Sequence, residues 1–262
     1  MYTTVNDHRT FYSTGTRETN PSKPSVIFIH GAGMDHSVWV LPARYFARHG
    51  YNVFAFDLPG HGRSDGKPLK AIEGIADWIG NAMDKLDVKE AAIVGHSMGS
   101  LTGICFAARY PEKITSLSLL GTSTPMPVTE QLLNAAESND HDAIDMANTW
   151  SHSNFGQQGG NSNPGLCMTM SGQRLLERSS DDVLFTDLKA CNDFTEAEDL
   201  LDQISVETLI ILGREDKMTS PVAGRMVAEK IRNARVVELS PCGHSMMSEQ
   251  PDAVLDALVT NI

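Results

Sequence analysis

Six short apolar runs mark the chain, at residues 26–29, 52–56, 91–94, 114–120, 208–212 and 235–239, bounded by Gly, Pro or Asp. Continuous and mostly apolar, they suit strands covered on both faces. Between several of them the spacing changes to three and four: Ile72, Ile75, Ala76, Ile79, Met83 and Leu86 share one face of a predicted helix. Residues 98–110 read as a second helix, stopped by Pro111. A third begins with Ser220 as cap and Pro221 in its first turn, and a last one runs over 252–260. Strands alternating with helices imply parallel pairing through right-handed crossovers, hence an open α/β sheet.

The alternation lapses over residues 123–199, too long a stretch for a mere connection. Helical pieces at 130–137 and 172–178 flank a turn region rich in Gly, Asn and Ser at 157–165. The expected organisation is a core made of 1–122 and 200–262, with a helical cap or lid inserted as 123–199.

A chain of 262 residues is long enough for one such domain with an insertion. Its net charge, 21 − 33 = −12, repels phosphate backbones and anionic membrane surfaces, which argues against nucleic acid or membrane as partner. No run approaches 18 apolar residues, and the first twenty residues hold no signal-peptide core. The four cysteines, Cys105, Cys167, Cys191 and Cys242, have no metal-ligand spacing and read as reduced thiols serving as small core residues. The expectation is a soluble cytoplasmic protein.

One stretch carries candidate chemistry. Gly95-His96-Ser97-Met98-Gly99 stands between the predicted strand 91–94 and the helix that follows, the place for a GxSxG elbow. Glycines there allow strand and helix to approach while Ser97 takes a strained backbone and exposes its hydroxyl. A serine needs a base, and the base needs an acid. The required chain order is Ser, Asp or Glu, then His, each after a later strand. Asp216 follows strand 208–212, with Glu215 as its near rival, and His244 follows strand 235–239. Both loops lie at carboxyl ends of predicted parallel strands, where open α/β sheets place their sites. The loop after 114–120 carries no acid. For the oxyanion, the Met98 N–H is one donor, and His30-Gly31-Ala32-Gly33 supplies the second, with Ala32 ahead of Gly33.

With these residues assembled, the chain resembles the α/β-hydrolase superfamily along nearly its whole length. The resemblance rests on residues 30–33 with Trp39 following, Asp57-Leu58-Pro59-Gly60-His61-Gly62-Arg63-Ser64-Asp65, the 95–99 elbow, residues 213–217, and Gly243-His244. It implies a mostly parallel sheet of about eight strands with helices on both faces, a cap after the sixth strand, and no metal or organic cofactor. It also implies that residues 57–65 brace the loop beside the site and that His30 and His96 are architectural. Candidate substrate-facing residues are Gly33, Met126, Trp150, Phe155 and Met170, with His152 and Met168 beside them.

Ser97 disfavours epoxide hydrolases and dehalogenases, which look for Asp at that position, and all five tyrosines precede the cap. The elbow is similar to those of carboxylesterases and monoacylglycerol lipases, so the expected activity is hydrolysis of small to medium acyl esters through an acyl-enzyme, with a small-molecule ester as partner. A homodimer is left open. Two alternatives stand beside it: a carbon–carbon bond hydrolase of meta-cleavage type, with Arg174 and Arg178 as cationic cap groups, and a slow-turnover ligand receptor.

Overall fold

The computed structural model describes residues 1–161 and 165–262. Its eight strands are β1 (Tyr2–Val5), β2 (His8–Ser13), β3 (Ser25–Ile29), β4 (Asn52–Phe56), β5 (Ala91–His96), β6 (Ile114–Leu120), β7 (Thr208–Gly213) and β8 (Ala234–Leu239). They form one sheet in the order β1-β2-β4-β3-β5-β6-β7-β8. The pairs β1–β2 and β2–β4 are antiparallel, and every later pair is parallel.

All six apolar runs become strands, and the β1–β2 hairpin is the addition. Its two-residue turn, Asn6-Asp7, has φ of 47° and 66°, the positive pair that suits a hairpin twist. It escapes the apolar pattern because its strands, at the sheet edge, mix exposed polar positions with the buried Val5, Phe11 and Tyr12.

Within the parallel strands successive side chains enter different cores. Ile27, Ile29, Phe54, Phe56, Ile93, Leu117 and Leu119 pack with α2 (Ile72–Lys85) and α3 (Met98–Arg109). Val26, Phe28, Val53, Ala55, Val94 and Leu120 pack on the other face with α1 (Val40–Arg48) and α12 (Pro251–Val259). Two-sided burial is why these runs lack polar alternation. Strand β8, at the far edge, is only partly covered. Beside it lies α10 (Pro221–Lys230), capped by the Ser220 hydroxyl, which accepts from Ala223 N.

Between β6 and β7 the described residues contain no strand. They form α4 (Glu130–Glu137), α5 (His141–Ser151), α6 (Asn154–Gln157), α7 (Met168–Glu177), α8 (Val183–Asp193) and α9 (Ala197–Leu200). Thr129, Asp140 and Ser153 cap α4, α5 and α6 through their side chains. These helices have a small apolar cluster of their own, Leu132, Ala136, Ala143, Ala147, Leu176 and Leu188. The far end of α8 and the start of α9 join the sheet's core instead, through Ala190, Cys191, Phe194 and Ala197. Of the turn region 157–165, residues 162–164 lie outside the described residues. Cys105, Cys191 and Cys242 are buried as expected of core thiols, but Cys167 is exposed just before α7. No helix among the described residues is long and apolar enough to cross a membrane.

Candidate active site

Ser97 stands at the junction of β5 and α3 with φ 54° and ψ −116°, a conformation rare for a residue with a side chain. The glycines on either side make it possible. A Cβ at Gly95 would overlap the Gly99 carbonyl, and a Cβ at Gly99 would overlap the Ile29 carbonyl. The turn is also tied to the next strand, because Ser97 N donates to Leu120 O over 2.9 Å. A strained serine is thereby presented, half-buried, at the start of a helix.

After β7 the chain makes a tight turn around Asp216. Its Oδ1 accepts Met218 N and Thr219 N, both at 2.8 Å, and its Oδ2 accepts the Thr219 hydroxyl at 2.8 Å. The same Oδ2 lies 2.7 Å from Nδ1 of His244, in a pair almost sealed from solvent. Burial opposes the carboxylate charge, yet His244 and the Thr219 donors outweigh it and hold the Asp216 pKa below its ordinary value. Glu215 is turned elsewhere, accepting Asn154 N at 2.9 Å.

With Nδ1 turned to Asp216, Nε2 is the nitrogen of His244 left for another partner. The ring lies close to the elbow on two counts. It touches Gly121, one residue past the Leu120 carbonyl that holds Ser97, where a Cβ would come within 2.9 Å of the imidazole. Its ring centroid is also 4.6 Å from that of His96, whose Nε2 donates to His244 O over 2.9 Å. No hydrogen bond joins Ser97 Oγ to His244 in this rotamer. Such bonds commonly tighten only when substrate is bound.

The loop after β3 approaches from the other side. A Cβ on Gly31 would fall 3.2 Å from Ser97 Cβ. Gly33 N donates to Asp187 Oδ2 at 2.8 Å, and Met34 N donates to Gly31 O at 3.2 Å. Within residues 32–34, the Ala32 N–H alone is uncommitted. The two oxyanion candidates of this loop are therefore separated: Gly33 is engaged by a carboxylate, and Ala32 is free.

A cavity of about 70 Å³ is lined by Ser97 and Ala32 together with Met126, Val128, Leu132, Trp150, Leu188 and Met218. Of the expected substrate-facing residues, Met126 and Trp150 are there. Phe155 and Met170 are not: they are 50% and 46% exposed on the outer surface, because α6 and the first turn of α7 direct them outward. Gly33 is also absent from the lining, its α-carbon packed against Leu184 and Leu176. His152 and Met168 are buried within the cap. Lys217, exposed at the cavity, is the cation beside it. Arg174 and Arg178 lie elsewhere, exposed and paired with Glu177 and Asp35.

Several contributors were not visible in the linear pattern. Thr219 supports Asp216, and the signal for it was an Asp three residues ahead of it in a turn that leads into a helix. Glu249 accepts Gly243 N at 2.8 Å and also the Ser153 amide and hydroxyl, linking the His244 loop to the start of α6. Ser245 N adds a 2.8 Å bond to Ser151 O.

Residues 57–65 act as a brace. Asp57 accepts His36 N and Arg63 N, and Leu58 N donates to His30 Nε2 at 3.2 Å. Burial lowers the His30 pKa to about 4 and the His96 pKa to about 3, so both rings are neutral. Among the described residues Asp35, His36 and Asp57 have ligand atoms close enough for a metal. Those atoms already serve one another, Arg178 and nearby backbone N–H groups.

This combination of sheet order, elbow and later strand-end loops agrees with a comparison against known families. A model of the alpha/beta hydrolase fold matches residues 24–251. The chain belongs to that family. This hydrolase is 27% identical to the 2-hydroxy-6-oxononadienedioate/2-hydroxy-6-oxononatrienedioate hydrolase of Cupriavidus pinatubonensis, over 93% of its own length and 88% of the relative's. It is 26% identical to monoacylglycerol lipase ABHD6 of Bos taurus, over 90% and 74% of the two chains. In three dimensions it is similar to the enol-lactonase from Burkholderia xenovorans LB400, with a TM-score of 0.86 at 24% identity, covering 99% and 98%. A thermophilic esterase superposes with a TM-score of 0.82 at 25% identity, covering 99% and 95%.

Proposed function

We propose that the protein is a carboxylic ester hydrolase working through an acyl-enzyme on Ser97. The observation carrying this reading is the buried Asp216–His244 pair, whose ring packs on Gly121 and His96 next to the elbow, while the strained Ser97 lines a largely apolar cavity. Ser97 Oγ attacks the acyl carbonyl and its proton passes to His244 Nε2. Asp216 keeps the ring oriented and stabilises the imidazolium. The tetrahedral oxyanion is received by the N–H groups of Met98 and Ala32. His244 then protonates the departing alcohol, and water, deprotonated by the same nitrogen, releases the acid.

Cavity size favours short acyl groups, since a void of about 150 Å³ is what accommodates a benzene ring and this one is about 70 Å³. The test is a series of nitrophenyl esters of increasing chain length with the wild type and Ser97→Ala. Turnover should peak between acetyl and butyryl and vanish in the variant; unchanged turnover by Ser97→Ala contradicts the reading.

Cleavage of a carbon–carbon bond in a vinylogous keto acid is the second reading, favoured by the 27% identical relative named for such substrates. Against it, Arg174 and Arg178 are paired with Glu177 and the buried Asp35, leaving Lys217 as the cation beside the cavity. Assaying a dienoic keto acid beside the short ester separates the two. A receptor that binds without appreciable product would instead show ligand-induced thermal stabilisation without turnover.

A further inference from the structure

The structure points to Asp187, on the cap helix α8, as a positioning residue for the oxyanion hole, and we propose that it sets the 31–34 loop through the Gly33 N–H with His61 as its counter-ion. This inference rests on the ester-hydrolase reading and says how its oxyanion donors are kept in place.

Asp187 is a carboxylate whose side chain is 1% exposed. One oxygen, Oδ2, receives both Gly33 N and His61 Nε2 at 2.8 Å. The other, Oδ1, is buried with no hydrogen-bond partner among the described residues. A carboxylate buried with an unserved oxygen is expensive to keep, and a simple packing role would be filled more stably by Leu or Asn. What it holds is specific. Gly33 N is drawn away from the cavity, Met34 N is engaged with Gly31 O, and Ala32 N remains as the free donor next to Ser97. The 32–33 peptide plane, which adjoins the Ala32 N–H, is thereby oriented by a group from outside the sheet.

The anchor also couples cap to core. Leu184, on the same helix, together with Leu176 of α7, packs on Gly33, while Leu188 and Cys191, also on α8, line the cavity. A shift of α8 therefore moves a cavity wall and the oxyanion loop together. His61 completes the link from the 57–65 brace: its Nδ1 donates to Pro59 O at 3.0 Å and its Nε2 to Asp187, so both nitrogens carry protons. Facing this ring are His30, with centroids 4.8 Å apart, and the carboxylates of Asp57 and Asp187. Burial works against the imidazolium, and Asp187 prevails, raising the His61 pKa.

The decisive comparison is wild type, Asp187→Leu and Asp187→Asn, assayed with nitrophenyl acetate and titrated with propylboronic acid, which adds to a serine oxygen and mimics the tetrahedral intermediate. Asp187→Leu should lower kcat by about ten- to a hundredfold, somewhat less than the loss of a whole oxyanion donor. KM should change little, and boronate affinity should fall in step with kcat. Asp187→Asn, with its amide oxygen in the place of Oδ2, still accepts from Gly33 N and from a neutral His61 protonated on Nε2, so it should recover most of both. Equal losses in the two variants, or a loss confined to KM with boronate affinity intact, overturn the inference. If Asp187→Leu fails to fold, amide exchange in the unaltered protein decides. The Gly33 N–H should be protected at neutral pH and lose part of that protection as pH rises through the raised His61 pKa. A Gly33 amide that exchanges freely at neutral pH contradicts the inference. The exchange readout needs no turnover, whereas failure of the ester-hydrolase reading would appear as activity surviving Ser97→Ala.

Discussion

Asp216 and Glu215 are neighbours with the same charge, and the structure gives them different tasks. Asp216 meets His244 and three donors from its own turn, while Glu215 caps the Asn154 amide. Asp216→Asn should therefore lower kcat by about 10⁴, the scale seen when a triad loses the acid that fixes its tautomer. Glu215→Gln should stay within a few-fold, and steady-state kinetics on one short ester checks both. Thr219→Val removes a hydroxyl from Asp216 Oδ2 and should cost about 1 kcal/mol of support for that carboxylate. A kcat reduced by only several-fold would be its signature. The candidates Ser97, Asp216 and His244 could be picked out of the sequence because each follows a predicted strand. Thr219 had only its place three residues after Asp216 as a signal, and Glu249 and Asp187 had none, since a distant supporting polar residue is recognised only when folding gives it a partner.

At the scale of elements, the elbow depends on close approach of β3, β5 and α3. A methyl group at Gly99 has nowhere to go except into the Ile29 carbonyl, which is backbone and cannot rotate aside. Gly99→Ala should destabilise the fold by about 3 kcal/mol, as overpacking of a tight core does, measured as a lowered urea midpoint with an unchanged slope. The parallel strands were readable because two-sided burial leaves an unbroken apolar run. The β1–β2 hairpin was missed because it lies at the sheet edge with exposed polar positions. In the cap, helix positions at 130–137 and 172–178 were foreseen, but which faces look inward was not. Trp150 and Met126 reach the cavity, whereas Phe155 and Met170 face outward. A helix's hydrophobic pattern says that one side is buried, not what lies against it.

For the molecule as a whole, stability should respond to acid through its buried neutral imidazoles. His30 and His96 have folded pKa values of about 4 and about 3, below the ordinary 6.5. The unfolded chain therefore binds more protons between those values and 6.5. Stability should fall as pH drops through that window, by up to about 1.4 kcal/mol per pH unit for each ring. His61 acts oppositely: its raised pKa stabilises the fold below 6.5, and that contribution fades as pH rises through the folded value. Thermal unfolding between pH 7 and pH 4 should show a steadily falling midpoint, and a flat profile would mean that these rings are not buried neutral. The functional account joins three distant segments into one nucleophile, and it is tested most directly by trapping the covalent intermediate. Wild-type protein mixed with nitrophenyl acetate, quenched in acid within the first turnover and digested, should yield a peptide containing Ser97 that carries one acetyl group. Product formation with Ser97 unmodified, or acetyl found instead on another residue such as Lys217 or Cys167, would contradict it.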